Sequence, residues 1–580
     1  MTSKMVLLMA LTMILSGDVL AWGVQTGGGT IDVEDVRWIG SHGTVMSGLL
    51  YVPPGATPED PAPGILAVHG YINTRETQDG FAIELARRGF VVLAMDQTGH
   101  GYSDPPAFAN GFGGPDGLAY LRSLAFVDAD NIGLEGHSMG GWAVLLAAAG
   151  APEAYRSVVI EGSSTGTSGA PDASEDFPRN LAVVFSKYDE FSDLMWGSPV
   201  AGQVPESDKL KAVFGTTDPV EVGRVYGSIE DGTARVFYQP PVTHPGDHFS
   251  RQAIGHAIHW FQRTLEGSEE LPPEDQVWYW KEAGTLLALA GMILLFFPLA
   301  RILLSTPFFS ELAGAPPPSK GTGGPGWWLS AVVFAALPAA TLFPLKELGS
   351  LVPASTVFPQ AVTTQVMVWA LGVGLVSLVM GGLWHGVTGR KVGATLDDYG
   401  LTWDGAFVWR RIGKSALLAL LLAGAAYLTL VLSARLFTTD YRIWVFAVKP
   451  LSPLHLRISL SYLIPFIGFF LIYGVVLFAQ LRGDREPWRE MLLTAALSTA
   501  GFLGLIAYQY TPLFLGGTLA MPSEALWSII AFQFVPLMGI VGLLTAFFHR
   551  ATGHVYVGGF LSGIMVTWIV VASQATHVGF

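Results

Sequence analysis

Asn131-Ile132-Gly133-Leu134-Glu135-Gly136-His137-Ser138-Met139-Gly140-Gly141-Trp142-Ala143-Val144-Leu145-Leu146-Ala147-Ala148-Ala149 decides how the first half of the chain is read. Asn131 to Glu135 has the short apolar character of a buried strand, and Met139 to Ala149 is an alanine-rich helix. The glycines at 136 and 140 allow a sharp turn from strand to helix. That turn lifts Ser138 above the sheet, with its hydroxyl aimed into a cleft and the helix amino terminus beneath it. In a chain with 69 glycines a bare G-x-S-x-G is a weak signal. The strand before it and the helix after it are what make it specific.

The same alternation of strand and helix extends to both sides. Strands are expected at Ile65 to Val68, Val91 to Met95, Asn131 to Glu135, Ser157 to Ile160, Leu181 to Phe185 and Ala234 to Tyr238, with Gly48 to Val52 as an earlier antiparallel one. Helices are expected at Phe81 to Arg88, Met139 to Ala149 and Ser250 to Leu265. This order predicts a mostly parallel sheet flanked by helices.

Over about 220 residues the chain resembles the α/β-hydrolase superfamily. The likeness rests on His69-Gly70-Tyr71, on the block Asp96-Gln97-Thr98-Gly99-His100-Gly101-Tyr102-Ser103, and on the turn at Ser138, all in the expected order. The Asp96 block is read as a structural turn. The resemblance implies that Ser138 is a nucleophile, with the backbone amides of Tyr71 and Met139 as oxyanion donors. It also implies the chain order serine, acid, histidine. The acid then follows the strand Leu181 to Phe185, which selects Asp189, with Glu161 second and Asp193 third. The base precedes the last helix. Thr243-His244-Pro245-Gly246-Asp247-His248-Phe249-Ser250 offers two histidines, of which His248, two residues before the expected cap Ser250, is preferred to His244. His256 and His259 follow, but no second ligand cluster accompanies them, so neither a metal nor a cofactor is expected.

The expected chemistry is acyl transfer to water through an acyl-enzyme. An ester of an acyl or lipid-like molecule is the favoured substrate class. A prolyl- or dipeptidyl-peptidase-like activity is the alternative, although the chain has no room for the large added domain such peptidases usually carry. Ser192 to Gly232 is inserted between acid and base, and reads as either a lid or a surface excursion.

The second half has a different character. Of the 580 residues 51% are hydrophobic and only 13% charged, about half the usual charged fraction. From Trp278 onward about eight apolar stretches have the length of a membrane span: Thr285 to Leu304, Trp327 to Leu345, Val362 to Trp384, Ala416 to Phe437, Ile458 to Leu481, Met491 to Tyr510, Leu526 to Phe548 and Val555 to Ala575. Residues 1–22 read as a signal peptide cleaved after Ala21 or as a membrane anchor. The expected organisation is that segment, an α/β-hydrolase domain over 23–271, a linker over 272–284 and a transmembrane helical domain over 285–580.

Lys320, Arg390, Lys391, Arg410, Arg411, Lys414, Arg482, Arg485, Arg489 and Arg550 fall in alternate gaps between spans. By the positive-inside rule those gaps are cytoplasmic, which sends the α/β domain to the opposite face of the cell membrane. The net charge of −14 and the lack of a basic, aromatic-interleaved patch argue against nucleic acid as a partner. The bilayer and a small or lipid-like ester are the expected partners. With no cysteine, disulfides and thiolate metal sites are excluded.

Overall fold

The computed structural model describes residues 2–321, 323–483 and 485–579. Nine strands form one sheet: β1 (Asp32–Ile39), β2 (Val45–Val52), β3 (Ala62–Val68), β4 (Val91–Asp96), β5 (Val127–His137), β6 (Ser157–Glu161), β7 (Leu181–Val184), β8 (Val225–Tyr226) and β9 (Arg235–Tyr238). Their order across the sheet is β1-β2-β4-β3-β5-β6-β7-β9-β8. From β4 through β9 the neighbours are parallel. The β1–β2 and β2–β4 pairs at one edge and β8–β9 at the other are antiparallel.

The central strands are continuous apolar runs because both faces are covered. Among the helices of this domain, α2 (Asp79–Ala86) and α7 (Arg251–Thr264) pack on one face, while α3 (Gly114–Ser123) and α4 (Met139–Gly150) pack on the other. Side chains alternate accordingly: Leu66 and Val68 join the α3/α4 core, and Ile65 and Ala67 the α2/α7 core. Two short helices, α5 (Ser192–Trp196) and α6 (Asp208–Val213), lie in the inserted stretch. That stretch is not a detached lid, since Trp196, Val204, Leu210 and Phe214 are part of the domain core.

A helix α1 (Ser3–Gln25) precedes the sheet. After it come α8 (Trp278–Leu304), α9 (Gly324–Ala340), α10 (Leu342–Ser350), α11 (Ala361–Trp384), α12 (Trp409–Leu436), α13 (Pro453–Gln480), α14 (Pro487–Gly516), α15 (Ala525–Thr552) and α16 (Tyr556–Ser573). Among the described residues eight helices are long and apolar enough to cross a membrane, α1 included, or nine if α9 and α10 are one bent span. The sequence reading has a single span at Trp327 to Leu345, whereas the chain bends there by 40°. Pro344, lacking an N–H, cannot donate to the carbonyl of Ala340, and the helix breaks at Thr341.

α1 packs against α8 through small residues. A Cβ on Gly17 would lie 2.5 Å from the Gly284 carbonyl oxygen, and one on Gly291 2.8 Å from that of Ala10. Such close backbone approach is how apolar helices associate without a hydrophobic gradient. Asp18 is buried in the bundle and accepts a 2.6 Å hydrogen bond from Ser433 on α12.

The α/β domain is tied to the bundle at several points. The segment between α7 and α8 is held rather than free: Arg88 donates to the carbonyls of Leu271, Pro272 and Asp275. α8 starts seven residues before the expected span, and Glu84 accepts from the amides of Val277 and Trp278 at its amino terminus, where a carboxylate meets unpaired N–H groups. The α12–α13 connection donates from Trp444 to the Pro245 carbonyl at 2.7 Å, and Thr576, beyond α16, accepts from the Ala107 amide at 2.8 Å. The last two contacts involve the end of α12, the start of α13 and the end of α16, and the basic gaps at 390–414, 481–489 and Arg550 adjoin the opposite ends of those three helices.

Candidate active site

Ser138 sits between β5 and α4 with φ 55° and ψ −121°, a conformation a non-glycine residue adopts only when its surroundings impose it. The glycines around it are sterically required. A Cβ on Gly136 would lie 2.3 Å from the Gly140 carbonyl oxygen, and one on Gly140 2.0 Å from that of Val68. The Ser138 amide donates to the Glu161 carbonyl at 2.7 Å, which anchors the turn on β6. Met139 is the first residue of α4, so its N–H has no intrahelical acceptor. The loop after β3 runs against Ser138, since a Cβ on Gly70 would be 2.9 Å from the Ser138 Cβ. Ser138, Met139 and Tyr71 all line a cavity of about 490 Å³.

Residues 63–193 match the family model of the α/β hydrolase fold. The sheet, the turn at Ser138 and this match agree. The domain has the α/β-hydrolase fold. Solved structures similar to parts of the chain include a hypothetical protein from Pseudomonas aeruginosa, with 24% identity over 23% of this chain and 43% of that one, TM-score 0.21. DcsB, solved with a substrate analogue, has 22% identity over 23% of this chain and 47% of that one, TM-score 0.21. A dienelactone hydrolase from Anabaena variabilis has 18% identity over 41% of this chain and 100% of that one, TM-score 0.29. The chain thus spans less than half the length of the first two. No curated protein matches it.

In the hydrolase domain Asp189 follows β7, as expected, but its partner is His244. The Nδ1 of His244 is 2.7 Å from Asp189 Oδ2, while Asp189 Oδ1 accepts the Phe191 amide at 2.7 Å. His244 also lines the Ser138 cavity. With Nδ1 held by the carboxylate, Nε2 is the ring nitrogen left for proton transfer. His248, the sequence preference, is not on Asp189. Its ring lies against His137, with centroids 4.1 Å apart, and both its nitrogens are buried without a partner among the described residues. The reason is local: residues 244–249 form a tight 3-10 turn, which places His244 at the acid and carries His248 around toward Phe81 on α2. His248 still lines the cavity.

Burial governs the ionisation of these groups. It pulls His244 down to about 4 against the opposing pull of Asp247, so the ring is neutral near pH 7 and ready to accept a proton. Burial likewise pushes Asp189 up, and the negative charge of Asp247 adds to this, while the Phe191 amide opposes it. His248 is held well below the ordinary histidine value by burial and by the neighbouring His137 and His244.

The other sequence candidates have different places. Glu161 lies buried beneath the turn, with both carboxyl oxygens unpaired among the described residues, and Asp193 is exposed to solvent. Asp96 organises its turn by accepting from Ser47 Oγ at 2.6 Å, from the Tyr102 amide at 3.0 Å and from the Arg75 amide at 2.9 Å. His256 stacks on Tyr238. Among the described residues no cluster of three metal-ligating side chains occurs.

Most of the cavity wall comes from residues that the sequence reading did not assign to the site. Glu282 of α8, Arg442, Trp444 and Val445 of the α12–α13 connection, and Leu526, Ile529 and Gln533 of α15 close it from the bundle side. Leu194 and Met195 of α5, with Phe108, Phe112 and Trp142, make the domain side apolar. A sequence signal existed only for Arg442 and Trp444, a cation and an aromatic in a short connection between spans.

Proposed function

We propose that the protein is a membrane-embedded serine hydrolase that cleaves an ester of an apolar acyl or lipid-like molecule. The observation that carries this reading is the hydrogen bond from His244 to Asp189 on the wall of the cavity that Ser138 opens into. In the proposed reaction His244 Nε2 takes the Ser138 proton as Oγ attacks the acyl carbon, and Asp189 meets the imidazolium charge. The amides of Tyr71 and Met139 hold the oxyanion. The protonated His244 then gives its proton to the leaving alcohol, and water, deprotonated by the same ring, releases the acid and restores Ser138.

An apolar cavity closed partly by α15 supports a substrate with hydrocarbon character rather than a polar peptide. The basic gaps opposite the docked face support an extracytoplasmic hydrolase domain in the cell membrane, by the positive-inside rule.

Turnover of p-nitrophenyl esters of two to twelve carbons by the purified full-length protein in detergent tests the reading. The expected result is hydrolysis favouring medium or long chains, abolished in Ser138→Ala. Equal hydrolysis by a folded Ser138→Ala variant would overturn it.

A further inference from the structure

Among the described residues where the hydrolase domain meets the bundle, Lys449, Lys281, Arg75 and Arg442 are buried, and the first three are in contact ion pairs. Lys449 is 2.8 Å from Glu76, Lys281 is paired with Asp79, and Arg75 is 2.7 Å from Asp35. Arg442 is the exception. It is 3% exposed; Nη2 donates to Thr74 Oγ at 3.1 Å, and Nε and Nη1 have no acceptor among the described residues. Asp440 lies two residues away, but its Oδ1 accepts the backbone N–H of Arg442, not the guanidinium. Of the two carboxylates on the cavity wall, Glu76 pairs with Lys449 and Arg75, while Glu282 has one oxygen 3.5 Å from Lys281 and the other buried without a partner among the described residues. Glu76 and Asp440 lie close enough to act on the guanidinium through space, but neither accepts a hydrogen bond from it among the described residues. Buried donors left without acceptors are costly unless a ligand supplies them, and Arg442 forms part of the wall of the Ser138 cavity.

We propose that Arg442 is the anion-recognising residue of this cavity, so that the ester cleaved at Ser138 carries a carboxylate or phosphate at a distance from the scissile bond. The substrate is then an anionic amphiphile, its hydrocarbon on the apolar wall and its oxyanion on Arg442. A guanidinium suits this role because its charge is permanent and its donors are fixed in a plane. The inference deepens the hydrolase reading and rests on it for the ester, though not for the anion.

Its test uses the full-length protein in detergent. Mono-p-nitrophenyl esters of glutaric, suberic and sebacic acid are compared with neutral p-nitrophenyl esters of equal length. The wild type should favour the anionic ester at one chain length by about tenfold or more in kcat/KM, the scale of a charge-assisted hydrogen bond. Arg442→Gln should remove most of that ratio, and Arg442→Lys should keep part of it. A ratio near one in the wild type at every length, or an unchanged ratio in Arg442→Gln, would overturn the proposal.

Binding to Ser138→Ala is read separately, as a rise in Tm with octyl phosphate, 1-octanol or inorganic phosphate. Octyl phosphate alone should stabilise. Equal stabilisation by inorganic phosphate would overturn the amphiphile, and none by octyl phosphate would overturn the anion site. These wild-type and Ser138→Ala readings decide the matter even if Arg442→Gln does not fold. Stabilisation by octyl phosphate without hydrolysis of any ester would sink the hydrolase reading and leave the anion site standing. Hydrolysis with neither preference nor stabilisation would do the reverse.

Discussion

Tyr510, on α14 of the bundle, donates a 2.7 Å hydrogen bond to Glu190, the residue that follows Asp189. The other oxygen of Glu190 accepts the backbone N–H of His244, also at 2.7 Å. One buried carboxyl therefore joins a helix of the bundle to the Asp189–His244 pair. Burial, with Asp189 alongside, pushes Glu190 up to about 8. Tyr510→Phe leaves a buried oxygen unpaired at a cost of about 1–3 kcal/mol. A lower Tm and a several-fold lower kcat are expected, and thermal melts with ester kinetics check both.

The two histidines separate cleanly by mutation. His244→Ala should lower kcat/KM by about 10²–10⁴-fold, the usual contribution of a positioned general base. His248→Ala removes a ring that packs on His137 and bonds to nothing, so a loss of less than about tenfold is expected. The reverse ranking in steady-state kinetics would return the base to His248.

The pH profile follows from the burial of His244. Its folded-state pKa is depressed to about 4, so the neutral base is present above that pH and lost as the pH falls through it. The acid limb of kcat/KM should therefore fall near pH 4 to 5 rather than at the ordinary histidine value of about 6.5. Measurement between pH 3.5 and 8 with a neutral ester, at constant ionic strength, checks this.

How much of this was legible in the sequence depends on how local each feature is. The turn at Ser138 and the strands β3 to β7 could be read because their signals, two glycines and short apolar runs, lie within a few residues of one another. The edge strand β1 went unread because Asp32, Glu34 and Asp35 give it a polar face without a buried stripe. Asp189 could be placed by its strand. Choosing between His244 and His248 needed the 3-10 turn, which no spacing rule encodes. The bundle side of the cavity was beyond reach, since Lys449 and Glu76 are 373 residues apart and meet only in the folded chain.

The packing of α1 on α8 gives a prediction for the first helix. Gly17→Leu would push a side chain into the backbone of Gly284 and Ala288, and overpacking of this kind costs about 1–3 kcal/mol or more. A lower Tm in detergent is expected. Since α1 fills a place in the bundle, the mature protein should also retain residues before Ala21, which intact-mass measurement reads directly.

On the proposed mechanism Ser138 is a nucleophile activated by His244 in a cavity shared with the bundle. This is tested most directly by treating the full-length protein with a fluorophosphonate and locating the adduct by peptide mass spectrometry. One adduct is expected, on Ser138, absent from Ser138→Ala and formed far more slowly in His244→Ala. A folded wild type that takes up no label, or an adduct that persists in Ser138→Ala, would contradict it.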